Sequence, residues 1–184
     1  WTTTPWTLPS NTALCVGPKI EYVAVQSFNP YTGEPATYVC AKALLNAHFN
    51  PKAADIAFED YKPGDKLVPF KVVAEYKGTD LVGMKYEQLL PWITPENADQ
   101  AFRVIPGDYV TTEDGTGIVH IAPTFGADDA KVAKAAGIPP LQLIDKNGNL
   151  RPSVDLTGKF YLLSDLDDEY VKTHINVEEY KQFE

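Results

Sequence analysis

Prolines and glycines divide this chain into short apolar runs, and that division limits the folds it can adopt. The sequence has 184 residues, of which 15 are proline and 12 are glycine. The runs between them are rich in β-branched and aromatic residues, as in Ile-Glu-Tyr-Val-Ala-Val-Gln at 20–26, and such runs are typical of strands. We therefore predict a β-rich mixed α+β fold, with a closed or half-closed β-barrel core and peripheral helices.

The other elements follow from similar local patterns. A helix is predicted after Gly126, because two aspartates stand in its first turn and Gly137 can end it. A shorter helix is predicted over 41–48, and the seven acidic residues among 164–184 indicate a solvated helical face. Further strands are predicted over 12–16, 36–40, 68–76, 102–105, 109–112, 117–122 and 141–145, the last followed by an Asn147-Gly148 turn.

Length and charge restrict the function. A chain of 184 residues is the size of one domain, so we predict a single domain over 1–184. Because the sequence begins with Trp1 rather than methionine, we expect a fragment of a larger protein. The net charge is −9, and only two of the 16 basic residues are arginines. A free-standing nucleic-acid binder is therefore disfavoured, and any nucleic acid should be held mainly by another part of the parent protein.

The cysteines and histidines do not suggest a metal site or a disulfide. Cys15 and Cys40 lie in apolar strand-like runs, where cysteine behaves as a small buried hydrophobe. No Cys-x-x-Cys occurs, and the three histidines lack the spacing of metal ligands. We therefore expect no metal and no cofactor, and a cytoplasmic location. No run approaches the ~18–20 apolar residues of a membrane span.

The first candidate motif is the hydroxyl-rich segment Trp1-Thr-Thr-Thr-Pro-Trp-Thr-Leu-Pro-Ser-Asn11. Thr2, Thr3 and Thr4 could form an ordinary edge strand of β-branched residues. Three consecutive hydroxyls before Pro5 could equally recognise a ribose or an adenine. The sequence of this segment leaves both interpretations open.

The second candidate motif is Gly115-Thr-Gly-Ile-Val-His-Ile-Ala-Pro-Thr-Phe-Gly-Ala-Asp-Asp129. The Gly115-Thr-Gly117 sequence either lets the backbone approach a ligand closely or forms a hairpin turn. Asp128 and Asp129 fall in the first turn of the predicted helix, where the free backbone N–H groups and the helix dipole favour a carboxylate. Each aspartate could cap this helix, or one could bind a substrate ammonium group.

His120 lies in the apolar strand of the second motif. A single histidine in such a strand is commonly a hydrogen-bonded core residue. No serine or cysteine nucleophile is placed beside it by any motif, and Gly-x-Ser-x-Gly is absent. We therefore do not predict a catalytic triad.

Taken together, the two motifs resemble the editing (CP1) domain inserted into class I aminoacyl-tRNA synthetases for branched aliphatic amino acids. The resemblance covers essentially the whole chain. Within that family the isoleucine-type (isoleucyl-tRNA synthetase) branch is favoured by Thr4, where valyl and leucyl relatives usually carry arginine, and by His120, where relatives differ. The nucleotide-activating signatures of a parent synthetase, which binds ATP, are absent from this chain.

The resemblance implies a role for each residue that matches. Asp129 would bind the α-ammonium group of a misattached amino acid. Thr2, Thr3 and Thr4 would line the pocket, contact the terminal adenosine and orient the water, so that Asp129, Thr3 and Thr4 would be the catalytic residues. His120 would shape the side-chain pocket, and Asn11 would support binding.

The implied function is post-transfer editing, in which misacylated valyl-tRNA(Ile) is hydrolysed and isoleucyl-tRNA(Ile) is rejected; valyl-adenylate is a further possible substrate. The implied partners are the 3′ acceptor end of tRNA(Ile) and the rest of the parent synthetase, with no membrane. Two alternatives stay open at this stage: a valyl- or leucyl-type editing domain, and a non-catalytic barrel that docks the tRNA acceptor end.

Overall fold

The computed structural model describes all 184 residues, Trp1–Glu184. It contains eight short strands: β1 (Ala13–Val16), β2 (Glu21–Phe28), β3 (Pro35–Ala41), β4 (Lys71–Lys77), β5 (Arg103–Pro106), β6 (Ile118–Ile121), β7 (Leu143–Ile144) and β8 (Leu150–Arg151). Five α-helices are present: α1 (Leu45–His48), α2 (Gly78–Leu81), α3 (Ala127–Ala136), α4 (Asp168–His174) and α5 (Val177–Phe183). Six 3-10 helices complete the elements: Pro5–Ser10, Lys42–Leu44, Pro51–Ala53, Phe58–Asp60, Ala98–Gln100 and Leu163–Asp165. None of the helices combines the length and the apolar character needed to cross a lipid bilayer.

The chain divides into two compact units, each assembled from separated segments. Unit 1 consists of Trp1, 16–82 and 106–119. Unit 2 consists of 2–15, 83–105 and 120–184. Every residue that the sequence analysis assigned to the candidate site belongs to unit 2, so the site can be described within that unit.

Unit 1 is organised around the antiparallel sheet β3-β2-β4. Strand β2 is central, and its register pairs Val25 with Tyr38 of β3 on one side and with Val72 of β4 on the other. Strand β2 has neighbours on both edges, and its apolar run from Tyr22 to Val25 is buried. Its core includes Val23, Val25, Cys40, Ala53 and Phe70.

The core of unit 2 is formed by its C-terminal part. Leu141 and Leu143 pack with residues of α4 and α5 in one buried cluster, whose members are Ile93, Leu141, Leu143, Leu166, Tyr170, Ile175 and Tyr180. Strands β7 and β8 form a hairpin across the predicted Asn147-Gly148 turn, in which Gly148 has φ +78°. Helix α3 ends at Gly137 in the left-handed conformation, as the sequence predicted.

The predicted β-barrel core is wrong, although the mixed α+β class is confirmed. The strands form three small sheets: β5-β1-β6, β3-β2-β4 and the β7-β8 hairpin. A barrel requires its first and last strands to pair in a staggered register. In the sheet order β5-β1-β6, the outer strands are only four residues long and do not pair with each other.

The strand predicted over 109–112 is also absent, because this segment is a turn. The amide of Gly107 donates to the Val16 carbonyl, and the amide of Val110 donates back to the Gly107 carbonyl. Pro106-Gly107 therefore turns the chain immediately after β5, and no partner strand is available to residues 109–112. Strand β4 begins at Lys71 rather than at 68, since Pro69 cannot donate to a ladder.

Candidate functional site

The threonine segment is a compact turn rather than an edge strand. The hydroxyl of Thr2 accepts a hydrogen bond from the Thr4 amide at 3.0 Å and lies 3.3 Å from the Thr4 hydroxyl. A 3-10 helix begins directly after Thr4, with Pro5 in its first position, where a missing N–H costs nothing. Thr3 is exposed and its hydroxyl makes no hydrogen bond within the chain. This segment therefore exposes Thr3 and Thr4 to solvent, and the hydroxyl of Thr3 is free.

The end of the same 3-10 helix is anchored in unit 2. The hydroxyls of Ser10 and Ser153 are both buried and lie 2.9 Å apart. Trp6 packs edge-on against Phe125, with ring centroids 5.0 Å apart at 78°. Because Phe125 lies in the loop between β6 and α3, this aromatic pair attaches the first motif to the second.

Asp129 is held by the loop that it follows. Pro123 ends the β6 run, Gly126 stands before the first turn of α3, and Asp129 is the third residue of that helix. Its Oδ2 accepts a hydrogen bond from the Ala122 amide at 2.9 Å. Its Oδ1 makes no hydrogen bond or ion pair within the chain, and the side chain is half-buried. The carboxylate is thus fixed by one oxygen and free at the other.

Neither aspartate caps the helix. Gly126 is the N-cap residue of α3, and no side chain accepts a hydrogen bond from the first amides of this helix. Asp128 is exposed. The capping interpretation of Asp128 and Asp129 is therefore wrong, although both carboxylates remain in the first turn, where the helix dipole favours negative charge.

His120 lies at the centre of a hydrogen-bond network. Its Nδ1 is 2.7 Å from Asn11 Nδ2, and its Nε2 is 2.9 Å from the Thr7 hydroxyl. The Thr7 hydroxyl donates to the Thr4 carbonyl at 2.9 Å, and Asn11 Nδ2 also donates to the Ala13 carbonyl at 2.9 Å. Both ring nitrogens are therefore occupied by protein groups.

The network determines the protonation of the ring. The Ala13 carbonyl can only accept, so it must face the NH₂ group of Asn11, and the second hydrogen of that group points at His120 Nδ1. Nδ1 consequently carries a lone pair, and the ring proton is on Nε2, from which it is donated to Thr7. Burial lowers the pKa of His120, although the nearby negative charge of Asp129 opposes this effect. His120 is accordingly neutral at pH 7.

The structure brings most of the predicted residues together. Asn11 and His120 are bonded directly, and Thr4 joins them through its carbonyl and Thr7. Thr2 is attached to Thr4, whereas Thr3 lies outside the network. Asp129 interacts with His120 electrostatically and not by a hydrogen bond.

Two residues of the network were not anticipated. Thr7 lies within the first motif, and its hydroxyl could have been suspected from its position three residues after Thr4. Tyr86, whose hydroxyl donates to Asn11 Oδ1 at 2.5 Å, lies outside the predicted strands and helices and carries no local signal. No group of three His, Cys, Asp or Glu side chains is arranged to hold a metal ion.

Similar proteins are found by sequence. No protein-family model matches the chain. It is 76% identical to the isoleucine–tRNA ligase of Bacteroides fragilis over 183 residues, which is 100% of this chain and 16% of that ligase. It is 61% identical to the isoleucine–tRNA ligase of Porphyromonas gingivalis over 178 residues, or 96% of this chain and 16% of that ligase. The chain therefore spans about a sixth of the length of these relatives.

Solved structures show a weaker similarity. The editing domain of the cytosolic leucyl-tRNA synthetase of P. knowlesi matches with a TM-score of 0.48 and 18% identity, over 70% of this chain and 46% of that domain. The family assignment rests on the sequence relatives. Along its whole length, the chain is homologous to a part of aminoacyl-tRNA ligases. More narrowly, it belongs to the isoleucine–tRNA ligase family as a segment of such an enzyme, which confirms the resemblance seen in the two motifs.

Proposed function

We propose that this chain is an editing domain that hydrolyses the ester bond of misacylated valyl-tRNA(Ile) and rejects isoleucyl-tRNA(Ile). The observation that carries this proposal is the Asp129 carboxylate, which is held by the Ala122 amide through one oxygen and is free at the other. A fixed, half-buried carboxylate that interacts electrostatically with a neutral histidine can hold an ammonium group, and the exposed threonines of the first motif can contact a ribose. Membership of the isoleucine–tRNA ligase family supplies the substrate class.

Asp129 acts in this proposal as the anchor of the substrate. The free Oδ1 accepts hydrogen bonds from the α-ammonium group of the amino acid, and charge-assisted hydrogen bonds of this kind are stronger than neutral ones. The ester carbonyl, next to the ammonium-bearing carbon, is thereby placed at a fixed distance from α3. Thr2, Thr3 and Thr4 contact the terminal adenosine, and the exposed hydroxyls of Thr3 and Thr4 orient the attacking water.

The hydrolysis needs little further chemistry from the protein. Water adds to the ester carbonyl, the bond to the ribose oxygen breaks, and the ribose oxygen takes a proton as valine and tRNA separate. An aminoacyl ester is already activated, so positioning of water and substrate can supply much of the rate. His120 is not the general base in this scheme, because its Nδ1 lone pair already accepts from Asn11 and its Nε2 already donates to Thr7.

His120 instead shapes the pocket that distinguishes the two amino acids. The aminoacylation pocket of an isoleucine enzyme cannot reject valine strongly, because one methylene contributes only about 1–3 kcal/mol of binding free energy. The discrimination of isoleucine from valine is itself the standard example of this limit. A second, editing pocket that is too small for isoleucine selects in the opposite direction. It admits valine and excludes isoleucine, because overpacking costs about 1–3 kcal/mol or more. Rigid hydrogen bonding at both ring nitrogens gives His120 the fixed position that such exclusion needs.

The charge of the chain indicates that another part of a larger enzyme binds the tRNA backbone. With a net charge of −9, this segment is poorly suited to hold a phosphate backbone alone. We infer that the rest of the parent synthetase binds tRNA(Ile) and delivers the 3′ acceptor end to this site. The proposed location of that enzyme is the cytoplasm, and hydrolysis of valyl-adenylate is a possible secondary activity.

The test is deacylation of valyl-tRNA(Ile) and isoleucyl-tRNA(Ile), measured side by side at high concentration of the chain, with Asp129→Ala as the control. We expect selective loss of valine that disappears in the variant. If neither ester is cleaved, the pair is measured again with this segment grafted in place of its counterpart in the Bacteroides fragilis ligase. Failure there, or equal cleavage of both esters, contradicts the proposal; acceptor-end binding without cleavage indicates a docking module.

A further inference from the structure

We propose that Tyr86 is a positioning residue of the candidate site, which acts through Asn11 to fix His120 and the threonine segment. The kinetic consequence of this inference rests on the proposed editing function. The Tyr86 hydroxyl donates to Asn11 Oδ1 at 2.5 Å, although the two residues are 75 positions apart in the chain. Nothing in the family resemblance or in the two motifs assigned a role to Tyr86.

Tyr86 is itself well held. Its amide donates to the Phe102 carbonyl at 2.9 Å, and its ring packs edge-on against the Phe102 ring with centroids 6.0 Å apart. Burial raises the pKa of the Tyr86 phenol far above its usual range. The hydroxyl therefore stays protonated and is a permanent hydrogen-bond donor toward Asn11.

The donor from Tyr86 and the acceptor at Ala13 together orient the Asn11 amide. The Ala13 carbonyl can only accept, so it requires the NH₂ group of Asn11 on its side. The Tyr86 hydroxyl is a better donor than acceptor and therefore favours the Asn11 oxygen on the other side. Rotating the amide by 180° would bring the amide oxygen against the Ala13 carbonyl and would exchange the bond from the Tyr86 hydroxyl for a weaker one that it accepts from the amide. Because Asn11 is only 5% exposed, water cannot readily replace either partner.

The orientation of Asn11 is then transmitted to the threonine segment. Asn11 Nδ2 donates to His120 Nδ1, His120 Nε2 donates to the Thr7 hydroxyl, and the Thr7 hydroxyl donates to the Thr4 carbonyl. Each group in this series has one direction available to it once Asn11 is fixed. Tyr86 thus acts with the Ala13 carbonyl to set the tautomer of His120 and, through Thr7, to hold the Thr4 carbonyl.

Replacement of Tyr86 by phenylalanine should release this series without removing the ring. The Asn11 oxygen then lacks a donor in a buried position, and the preference of the Tyr86 hydroxyl for that oxygen no longer opposes rotation of the amide. We expect the His120 ring to populate the Nδ1–H tautomer in addition to the Nε2–H tautomer. We expect kcat for valyl-tRNA(Ile) to fall about tenfold, the rate equivalent of one net hydrogen bond, with KM changed less than about twofold.

Tyr170→Phe is the matched control. The Tyr170 hydroxyl also donates, at 2.8 Å, to the Gln142 carbonyl, and burial likewise raises its pKa far above the usual range. This residue lies in the core cluster of unit 2 and not in the His120 network. The control therefore removes an equivalent buried hydroxyl bond, and it should leave the His120 tautomer and kcat unchanged.

The experiment combines kinetics with ¹⁵N NMR of the histidine ring nitrogens, which reports the tautomer directly and independently of activity. The chain has three histidines, so the His120 signals are assigned by their loss in His120→Gln. A Tyr86→Phe variant with the Nε2–H tautomer alone, or with the kcat of the control, overturns the proposal. A wild-type chain that hydrolyses no ester contradicts the editing function, while the tautomer measurement still tests the effect of Tyr86 on His120.

Asn11→Asp provides a second test that leaves Tyr86 intact. A carboxylate at this position can still accept from Tyr86, but it cannot donate to His120 Nδ1. We therefore expect a proton on Nδ1 in this variant. Retention of the Nε2–H tautomer alone would show that residue 11 does not control the ring, and the proposal would be wrong even if Tyr86→Phe failed to fold.

Discussion

Exchanging Asp129 for asparagine should weaken binding of the substrate ammonium group while preserving the local structure. The asparagine side-chain oxygen can still accept from the Ala122 amide, which donates to Asp129 Oδ2 at 2.9 Å in the wild type. What disappears is the negative charge at the free oxygen. A hydrogen bond to a charged group contributes about 1.5–3 kcal/mol, so kcat/KM for the valyl ester should fall about 10- to 150-fold.

Asp128→Asn is the control for the change in charge. Asp128 precedes Asp129 in the first turn of α3, is exposed, and makes no hydrogen bond to Ala122. Both variants lose one negative charge near the helix N-terminus, which should cost each about 0.3–1 kcal/mol of unfolding free energy. Urea unfolding should therefore show similar stability losses, whereas only Asp129→Asn should lose activity.

A second substrate makes the measurement specific for the ammonium group. The 2-hydroxyisovaleryl ester of the same tRNA carries a hydroxyl where the valyl ester carries the ammonium group. If Asp129 binds that ammonium group, Asp129→Asn should reduce kcat/KM strongly for the valyl ester and only slightly for the hydroxy ester. An equal reduction for both esters, or one no larger than that of Asp128→Asn, would refute this role for Asp129.

Three further outcomes are expected from the structure. Because burial lowers the pKa of His120 below its ordinary 6.5, protonation opposes folding: the stability that the neutral ring provides is complete above that pH and declines as the pH falls below it. Urea unfolding at several pH values should show this decline in the wild type and less of it in His120→Gln; identical profiles would contradict it. The ion pair with Arg151 and the turn amides lower the pKa of Asp145 from 3.8 to about 2, so its stabilising effect should be present above 3.8 and be lost as the pH falls to about 2. Acid unfolding of Asp145→Asn should lack this component. Gly117→Ala should destabilise the chain by about 1–3 kcal/mol or more through backbone strain, since Gly117 has φ +74° and an added Cβ would lie 2.6 Å from the nearest side-chain carbon. The control Gly148→Ala has a similar φ and nothing within 4 Å, so a smaller loss in thermal unfolding is expected there.

Features with local causes were predictable from the sequence. The left-handed Gly137 at the end of α3 and the Asn147-Gly148 hairpin turn follow from conformations that few other residues adopt. The absence of a barrel was not predictable in the same way, because closure depends on pairing between strands far apart in the sequence. The 109–112 segment has the composition of a strand but lacks a partner, which residue preferences alone cannot reveal.

In the candidate site, too, some features were predictable from the sequence and others depended on long-range contacts. The resemblance of the two motifs placed Asn11, His120 and Asp129 in one site, and the structure joins the first two directly. The tautomer of His120 depends on which groups face Asn11, and Tyr86 reaches it from a loop without any sequence signal. The direction of a hydrogen bond depends on which donor and acceptor groups face each other in the folded chain. It could therefore be determined only from the structure.

The separation in sequence between the parts of this network has a consequence for how the candidate site assembles. The bonds from His120 to Thr7 and Asn11 connect residues 113 and 109 positions apart. Closing a loop of that length costs about 4 kcal/mol in chain entropy by the logarithmic rule. During synthesis, the threonine segment leaves the ribosome long before His120 and α3 exist. Contacts of such long range are among the slow steps of folding, so the candidate site should form late, after the local sheet of unit 1.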